Sequence, residues 1–400
     1  MPAPARRPPQ LLQLLRQPAL FVWALYVLAI PFYVVAGGYP QPGDALLFVV
    51  APMVLFGWRG RLGRQASLTI RWLRWLTVWV CIVDLVWAVL LWNAGLNVLY
   101  PLYFVYNLVL LVTAVTLFQR YGDRFLYLTV QLLFFLVVFQ VAVSFVFRGG
   151  GWGTRSNLFF HNPNQLGYFA LLTACVFALT QRRLKLSLFK VSVALLGCAY
   201  LGVLSASRSS VAGIGLLALL MVVSNPRVLI AATLIAAGVG FIGTPADGSF
   251  DTIQQRLSED RNPGLSFWQQ RGYDRIWNNK EYLLFGAGEG NYRRFEETTA
   301  IGGAEIHSSA GTLIFSYGII GSTMFVMFCA AMIRGAKIRT TLVLLPPLSF
   351  TIAHQGLRFT LLWILFALFI GLKEAAVKKP LAKPARAPQG PALPQPLLSP

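Results

Sequence analysis

The sequence predicts an all-α polytopic membrane protein of about twelve transmembrane helices, with one large polar loop. Three observations predict it. Hydrophobic residues fill 56% of the 400 positions and charged residues only 12%, roughly half the charge of a soluble domain. The apolar residues gather in continuous blocks rather than amphipathic stripes. The basic residues sit mostly between those blocks, as membrane topology distributes them.

A span needs about 20 largely apolar residues. In chain order the candidate spans are 19–36, 44–57, 76–93, 97–118, 125–147, 163–180, 187–204, 209–223, 228–243, 311–333, 340–353 and 359–372. Arg6, Arg7 and Arg16 precede the first block, as they would a signal peptide. That block is long, contains Pro31 and is followed by eleven others, so an uncleaved first span is expected. The blocks at 44–57 and 340–353 are short enough for a tilted, broken or re-entrant helix. From about Pro380 the chain is rich in Pro, Ala and Lys without periodicity, which predicts disorder. The expected organisation is helices one to nine over 1–243, the polar loop over 244–310, helices ten to twelve over 311–373, and a cytoplasmic tail over 374–400.

Charge sets the sidedness. With a cytoplasmic N-terminus and one crossing per block, cytoplasmic segments hold 23 of the 34 basic residues. One connector alone carries Arg59, Arg61, Arg64, Arg71 and Arg74. The short outward segments hold only Arg148, Arg155, Arg208 and Arg358, and the other 7 lie in the long loop. This asymmetry accounts for the net charge of +20 without a nucleic-acid partner. It also places His161, His307 and His354 outward with the four arginines. A charge near the bilayer interior costs about 2.5–3.5 kcal/mol on insertion scales. Snorkelling explains any one of these arginines better than it explains the set.

Cys81, Cys175, Cys198 and Cys329 fall one per apolar block and read as small buried hydrophobes. Before position 246 the only acidic residues are Asp44, Asp84 and Asp123, none at metal-ligand spacing from a histidine, so no metal or cofactor is expected. Asp44 reads as a structural residue at a positive helix end.

Within the loop, Ser266–Tyr282 has a helical pattern, with Phe267, Gln270, Tyr273 and Trp277 on one stripe beside Arg271 and Arg275. The glycine run Leu284–Tyr292 can form a tight turn or bring N–H groups to a phosphate, and no βαβ context precedes it. His307 stands just before a span, where an imidazole either caps a helix or takes a proton from a hydroxyl near neutral pH. Ser205–Gly213 joins two spans and sets Arg208 at an outward helix start, a place that favours a phosphate-bearing group.

These motifs share an order with a known family. Ser207-Arg208-Ser209-Ser210 comes first, then Arg271, Arg275 and Trp277, then Leu284-Phe285-Gly286-x-Gly288-x-Gly290, His307, Leu313 and Tyr317-Gly318-Ile319-Ile320-Gly321. Over about 155–330 this order resembles the O-antigen ligase/polymerase superfamily of membrane glycosyltransferases. His161-Asn162-Pro163-Asn164-Gln165-Leu166-Gly167 is similar to its Asn-Pro-Asn segment. The resemblance implies a GT-C-like fold in a bacterial inner membrane, with the active site facing the periplasm. It implies a metal-independent, inverting transfer of O-antigen from undecaprenyl diphosphate to the outer-core sugar of lipid A-core. His307 would be the general base. Arg208 and Arg271, or Arg275 in place of the latter, would bind the diphosphate. Arg155, His161, Asn164, His354 and Arg358 would support them. An O-antigen polymerase is the alternative within the family. A lipid-linked glycan transporter is the alternative of a different class; it calls for ionisable groups at mid-membrane and an internal repeat, and the sequence offers Asp84 and no repeat.

Overall fold

The computed structural model describes residues 11–35, 39–56, 58, 60–92, 99–147, 155–224, 227, 252, 254–255 and 264–377. The expected span at 228–243, Arg6, Arg7, Arg59, Arg148, most of 244–263 and the tail from 378 lie outside the described residues. Of the described residues, 77% are helical and none forms a strand. In order the helices are α1 (Leu11–Leu15), α2 (Pro18–Ala29), α3 (Ala45–Leu55), α4 (Arg64–Leu90), α5 (Leu99–Tyr121), α6 (Asp123–Ser144), α7 (Pro163–Leu184), α8 (Leu188–Leu204), α9 (Arg208–Ser224), α10 (Phe267–Gln270), α11 (Asp274–Asn278), α12 (Ser309–Ile333), α13 (Ile338–Thr341), α14 (Leu345–Ala353) and α15 (Thr360–Val377). Among the described helices, α4, α5, α6 and α12 are long and apolar enough to cross a membrane.

A helix that is apolar all round belongs in the middle of a bundle. Leu361 to Ile370 of α15 are all fully buried, and α7 is buried over most of its length. α15 packs on α5, α7, α4 and α12, and α7 adds α8, α9 and α6. The outside stays apolar. Phe48, Trp75, Leu85 and Leu90 are each more than half exposed, an arrangement suited to hydrocarbon and costly in water. The fold is consistent with an all-α, multi-pass membrane protein.

Three elements depart from the sequence reading. The first span was expected over 19–36, but α2 ends at Ala29. Pro31 lacks an N–H to continue a helix, and beyond it Tyr33 N donates instead to Phe159 O (3.0 Å). The second departure lies in α4, which begins at Arg64, so Arg64, Arg71 and Arg74 are helical rather than part of a connector. Ala66, Ile70 and Leu73 form its buried stripe, and Arg71 and Arg74 occupy the exposed face.

The third is at the chain's far end, where α15 runs to Val377 and brings Glu374 to the start of α4. The Glu374 carboxylate accepts from Ala66 N (2.9 Å) and from Gln119 Nε2 (2.5 Å). It thus caps α4 from a distance and meets the positive helix end. Glu374→Ala is expected to lose about 1–2 kcal/mol, measured as a lower melting temperature in detergent.

Asp44 is the N-cap residue of α3 and accepts from Gln41 N and Tyr106 OH, both at 2.7 Å, a structural role. The four cysteines are free thiols, Cys175 and Cys198 fully buried.

Candidate active site

The site is built around a break in α12. Gly318 has φ +68°, and Ile319 N, which would close the helical turn onto Phe315 O, donates instead to Leu283 O (2.8 Å). The glycine run takes up the orphaned carbonyls. Ala287 N donates to Phe315 O and Gly288 N to Ser316 O, both at 2.9 Å. The approach is too close for side chains, because a Cβ at Gly286 would lie 2.3 Å from Ser316 O and one at Gly318 would lie 2.4 Å from Leu284 O. Two tryptophans of α4 finish the seam, with Trp79 Nε1 on Tyr317 O (2.8 Å) and Trp87 Nε1 on Gly286 O (3.0 Å). Of the two readings of the glycine run, the tight loop describes these contacts. Its successive N–H groups at 287, 288 and 289 are all engaged by protein acceptors.

The loop thereby carries an acid inside. Glu289 is 2% exposed, and its N–H donates to Asp84 Oδ1 of α4 (2.7 Å). Tyr317 OH lies 2.6 Å from Glu289 Oε2 and 3.2 Å from Asp84 Oδ2. Arg358, between α14 and α15, pairs with both Glu289 and Glu305. Its guanidinium lies over the rings of Tyr100 (5.2 Å) and Tyr103 (5.5 Å). Burial raises the Glu289 proton affinity above the usual carboxylate range, while Arg358 opposes the shift. Burial also works against the Arg358 charge, but the two carboxylates outweigh it and hold the guanidinium protonated.

The His307 segment follows from Glu305, and its main chain is tied at several points. Gln355 Nε2 donates to Ile306 O (2.5 Å) and Thr312 Oγ1 (2.9 Å). Ser309 N donates to His354 O (3.1 Å), and Ser309 Oγ accepts from Leu357 N (3.0 Å). Ser308 caps α12 by accepting from Gly311 N (3.0 Å) and also meets Tyr273 OH (2.6 Å). His307 N donates to Arg271 O (3.2 Å), and the His307 side chain is exposed.

The helix expected over Ser266–Tyr282 is broken into α10 and α11. Gly272 adopts φ +78°, and a Cβ there would meet the Ile301 side chain at 2.6 Å. The turn abolishes the expected stripe: Tyr273 is buried, whereas Phe267 and Trp277 are about half exposed. It also separates the two arginines. Arg275 is fully buried, donating to Thr299 Oγ1 (3.1 Å), Gly302 O (3.1 Å) and Ala304 O (2.7 Å), over the rings of Tyr292, Phe295 and Phe315. It holds the returning segment of the loop at Thr299, Gly302 and Ala304. Arg271, partly exposed, is the one joined to His307.

The remaining residues meet at the same end of the bundle. Arg155 donates to Asn164 Oδ1 (3.0 Å) and Ser205 O (3.1 Å), linking the starts of α7 and α9. His161 is exposed, with its N–H on Gln165 Oε1 (3.0 Å) in the capping box of α7. A Cβ at Gly167 would meet Ser205 Oγ at 2.6 Å and Ser210 Oγ at 2.7 Å, so the first turns of α7 and α9, and with them Arg208, lie side by side. Tyr168 stacks on Phe350 (4.0 Å) and approaches Gly356. The ends of α14 and α7 therefore share that face with His354, Arg358 and the His307 segment. Sequence reasoning missed Glu289, Glu305, Gln355 and Tyr317. Glu289 and Glu305 are two of ten acids in the loop, and no local pattern singles out either of them or Gln355.

No protein-family model matches the chain, and no curated protein matches it significantly.

Proposed function

We propose that this chain is an O-antigen ligase, a membrane glycosyltransferase of about twelve spans and GT-C-like fold in a bacterial inner membrane, working at the periplasmic face. In the proposed reaction a hydroxyl of lipid A-core attacks the anomeric carbon of an O-antigen held on undecaprenyl diphosphate. His307 takes the hydroxyl proton as the new C–O bond forms. The bond to the diphosphate breaks on the opposite side, the electron pair leaves with the phosphate oxygen, and the anomeric centre inverts. Arg208 and Arg271 stabilise the charge that develops on the diphosphate.

One observation carries this reading. The exposed His307 is fixed through its own N–H to the carbonyl of Arg271, at the bundle end that also holds Arg208. A base and a phosphate-binding cation are thus offered together at the head of a long apolar helix. Arg275, fully buried with its Nε on Thr299 Oγ1 and its Nη2 on the Gly302 and Ala304 carbonyls, supports Arg271 as the loop arginine of the site.

A second reading, transport of a lipid-linked anion, is favoured by the buried Asp84–Glu289–Arg358 cluster, since transporters carry ionisable groups inside the bundle. Against it, the cluster's groups are already paired with one another. Purified protein in vesicles, given undecaprenyl-diphosphate O-antigen with lipid A-core or with a second lipid-linked glycan, separates these readings. Glycan on lipid A-core is the expected product. Extension of the lipid-linked glycan alone would make the protein a polymerase, and uptake of intact donor without bond cleavage would make it a transporter.

A further inference from the structure

Beside the His307 segment a partly open cavity lies between α5, the first turn of α12 and the segment joining α14 to α15. Its lining combines Asn107, Glu289, Gln355 and Arg358 with the half-buried rings of Tyr100 and Tyr103. Ser309, two residues after His307, closes one side. Planar amide, carboxylate and guanidinium groups that already bond one another are stiff, and stiff polar groups beside tyrosine rings suit a ring carrying several hydroxyls. Here Gln355 reaches Glu305 (3.3 Å), Arg358 pairs with Glu289 and Glu305, and Tyr100 and Tyr103 clamp Arg358. The cavity as a whole has room for a group of about water's size, so it admits one hydroxyl while the ring that carries it lies at the mouth.

Asn107 adds an independent observation. It is 3% exposed, and its Nδ2 donates to Leu357 O (3.3 Å), which fixes the orientation of the amide. Its Oδ1 is buried and meets no donor among the described residues. A buried acceptor left so is unfavourable, and a ligand that brings a hydroxyl removes the cost. Glu289 offers further acceptor oxygen on the same cavity.

We propose that this cavity is a sugar subsite, in which one monosaccharide of the glycan substrate seats a hydroxyl against Asn107 and rests beside Tyr100 and Tyr103. The proposal rests on the glycosyltransferase reading and deepens it, since it assigns where a sugar sits relative to His307. The same chemistry could be met by a sugar of the donor or of the acceptor.

The test compares Asn107→Leu with Asn107→Asp, which in its neutral form keeps an acceptor and also a donor for Leu357. For Asn107→Leu we expect KM to rise about tenfold, the equivalent of one lost buried hydrogen bond, with the larger part of the change in KM rather than kcat. The rise falls on the donor or on the acceptor, which identifies the sugar. Asn107→Asp should stay closer to the wild type. Equal defects in both variants would overturn the subsite, because Asn107→Asp keeps the acceptor, as would unchanged KM values in Asn107→Leu. Free O-antigen oligosaccharide, titrated calorimetrically into wild type and Asn107→Leu, is a readout independent of turnover. Weaker binding to the variant supports the subsite even if no acceptor is glycosylated, whereas wild-type turnover with equal binding to both proteins rejects the subsite and keeps the proposed function.

Discussion

His307→Ala is expected to yield a folded protein that transfers no measurable O-antigen. The imidazole is exposed, and Gln355, His354 and Arg271 hold the main chain around it. Truncating it should therefore change the melting temperature little. Loss of a general base lowers a rate by about 10²–10⁴, enough to empty the O-antigen ladder of cellular lipopolysaccharide and let lipid-linked O-antigen accumulate. Arg208→Ala should give the same cellular picture through the diphosphate, whose departing charge a fixed guanidinium stabilises. Normal ladders in a His307→Ala strain, at wild-type protein levels, would remove His307 from the chemistry.

The helical class was legible because apolar blocks and charge asymmetry are collective signals, spread over hundreds of residues. Boundaries that depend on a single long-range contact were not. Nothing near Arg64 announces that Glu374 caps its helix, and nothing near Pro31 says that Tyr33 will bond Phe159. The same contrast holds at the site. His307, Arg208 and Arg271 could be picked from local motifs, since each stands at the edge of an element. Arg275 looked equivalent to Arg271 because helical spacing puts both on one flank, and only the turn at Gly272 sends one inward and leaves the other outside. The glycine run kept its secret for a different reason. Its purpose is to meet a broken turn at Gly318, and two distant irregularities that repair each other have no joint signature in a single sequence. Glu289 follows from that repair, because the loop must enter the bundle before its acid can reach Asp84 and Arg358.

Arg358→Gln is expected to be the most destabilising single change in this region. Arg358 is the only cation paired with Glu289 among the described residues, and Glu289 is almost wholly buried. Removing one partner of a buried pair costs about 3–5 kcal/mol, because the other charge is left uncompensated. The sign of the pH dependence tests that cause. Burial already raises the Glu289 proton affinity and Arg358 opposes the shift, so without Arg358 the folded-state value climbs further while the unfolded value stays near about 4.3. A raised folded value means that the folded state binds the proton more tightly, and stability then rises as pH falls. The Arg358→Gln deficit should be largest at and above neutral pH and shrink as acid neutralises Glu289. Arg358→Gln combined with Glu289→Gln should recover much of the loss at neutral pH, since no buried charge is then stranded at that position. Arg358→Lys should fall between, because an ammonium keeps the charge that meets the two carboxylates but not the planar guanidinium lying over two tyrosine rings. Melting curves in detergent from about pH 5 to 9 decide the matter. A deficit that ignores pH, or a double variant no better than Arg358→Gln alone, would mean that Arg358 works through its ring contacts and Glu305 rather than by neutralising Glu289.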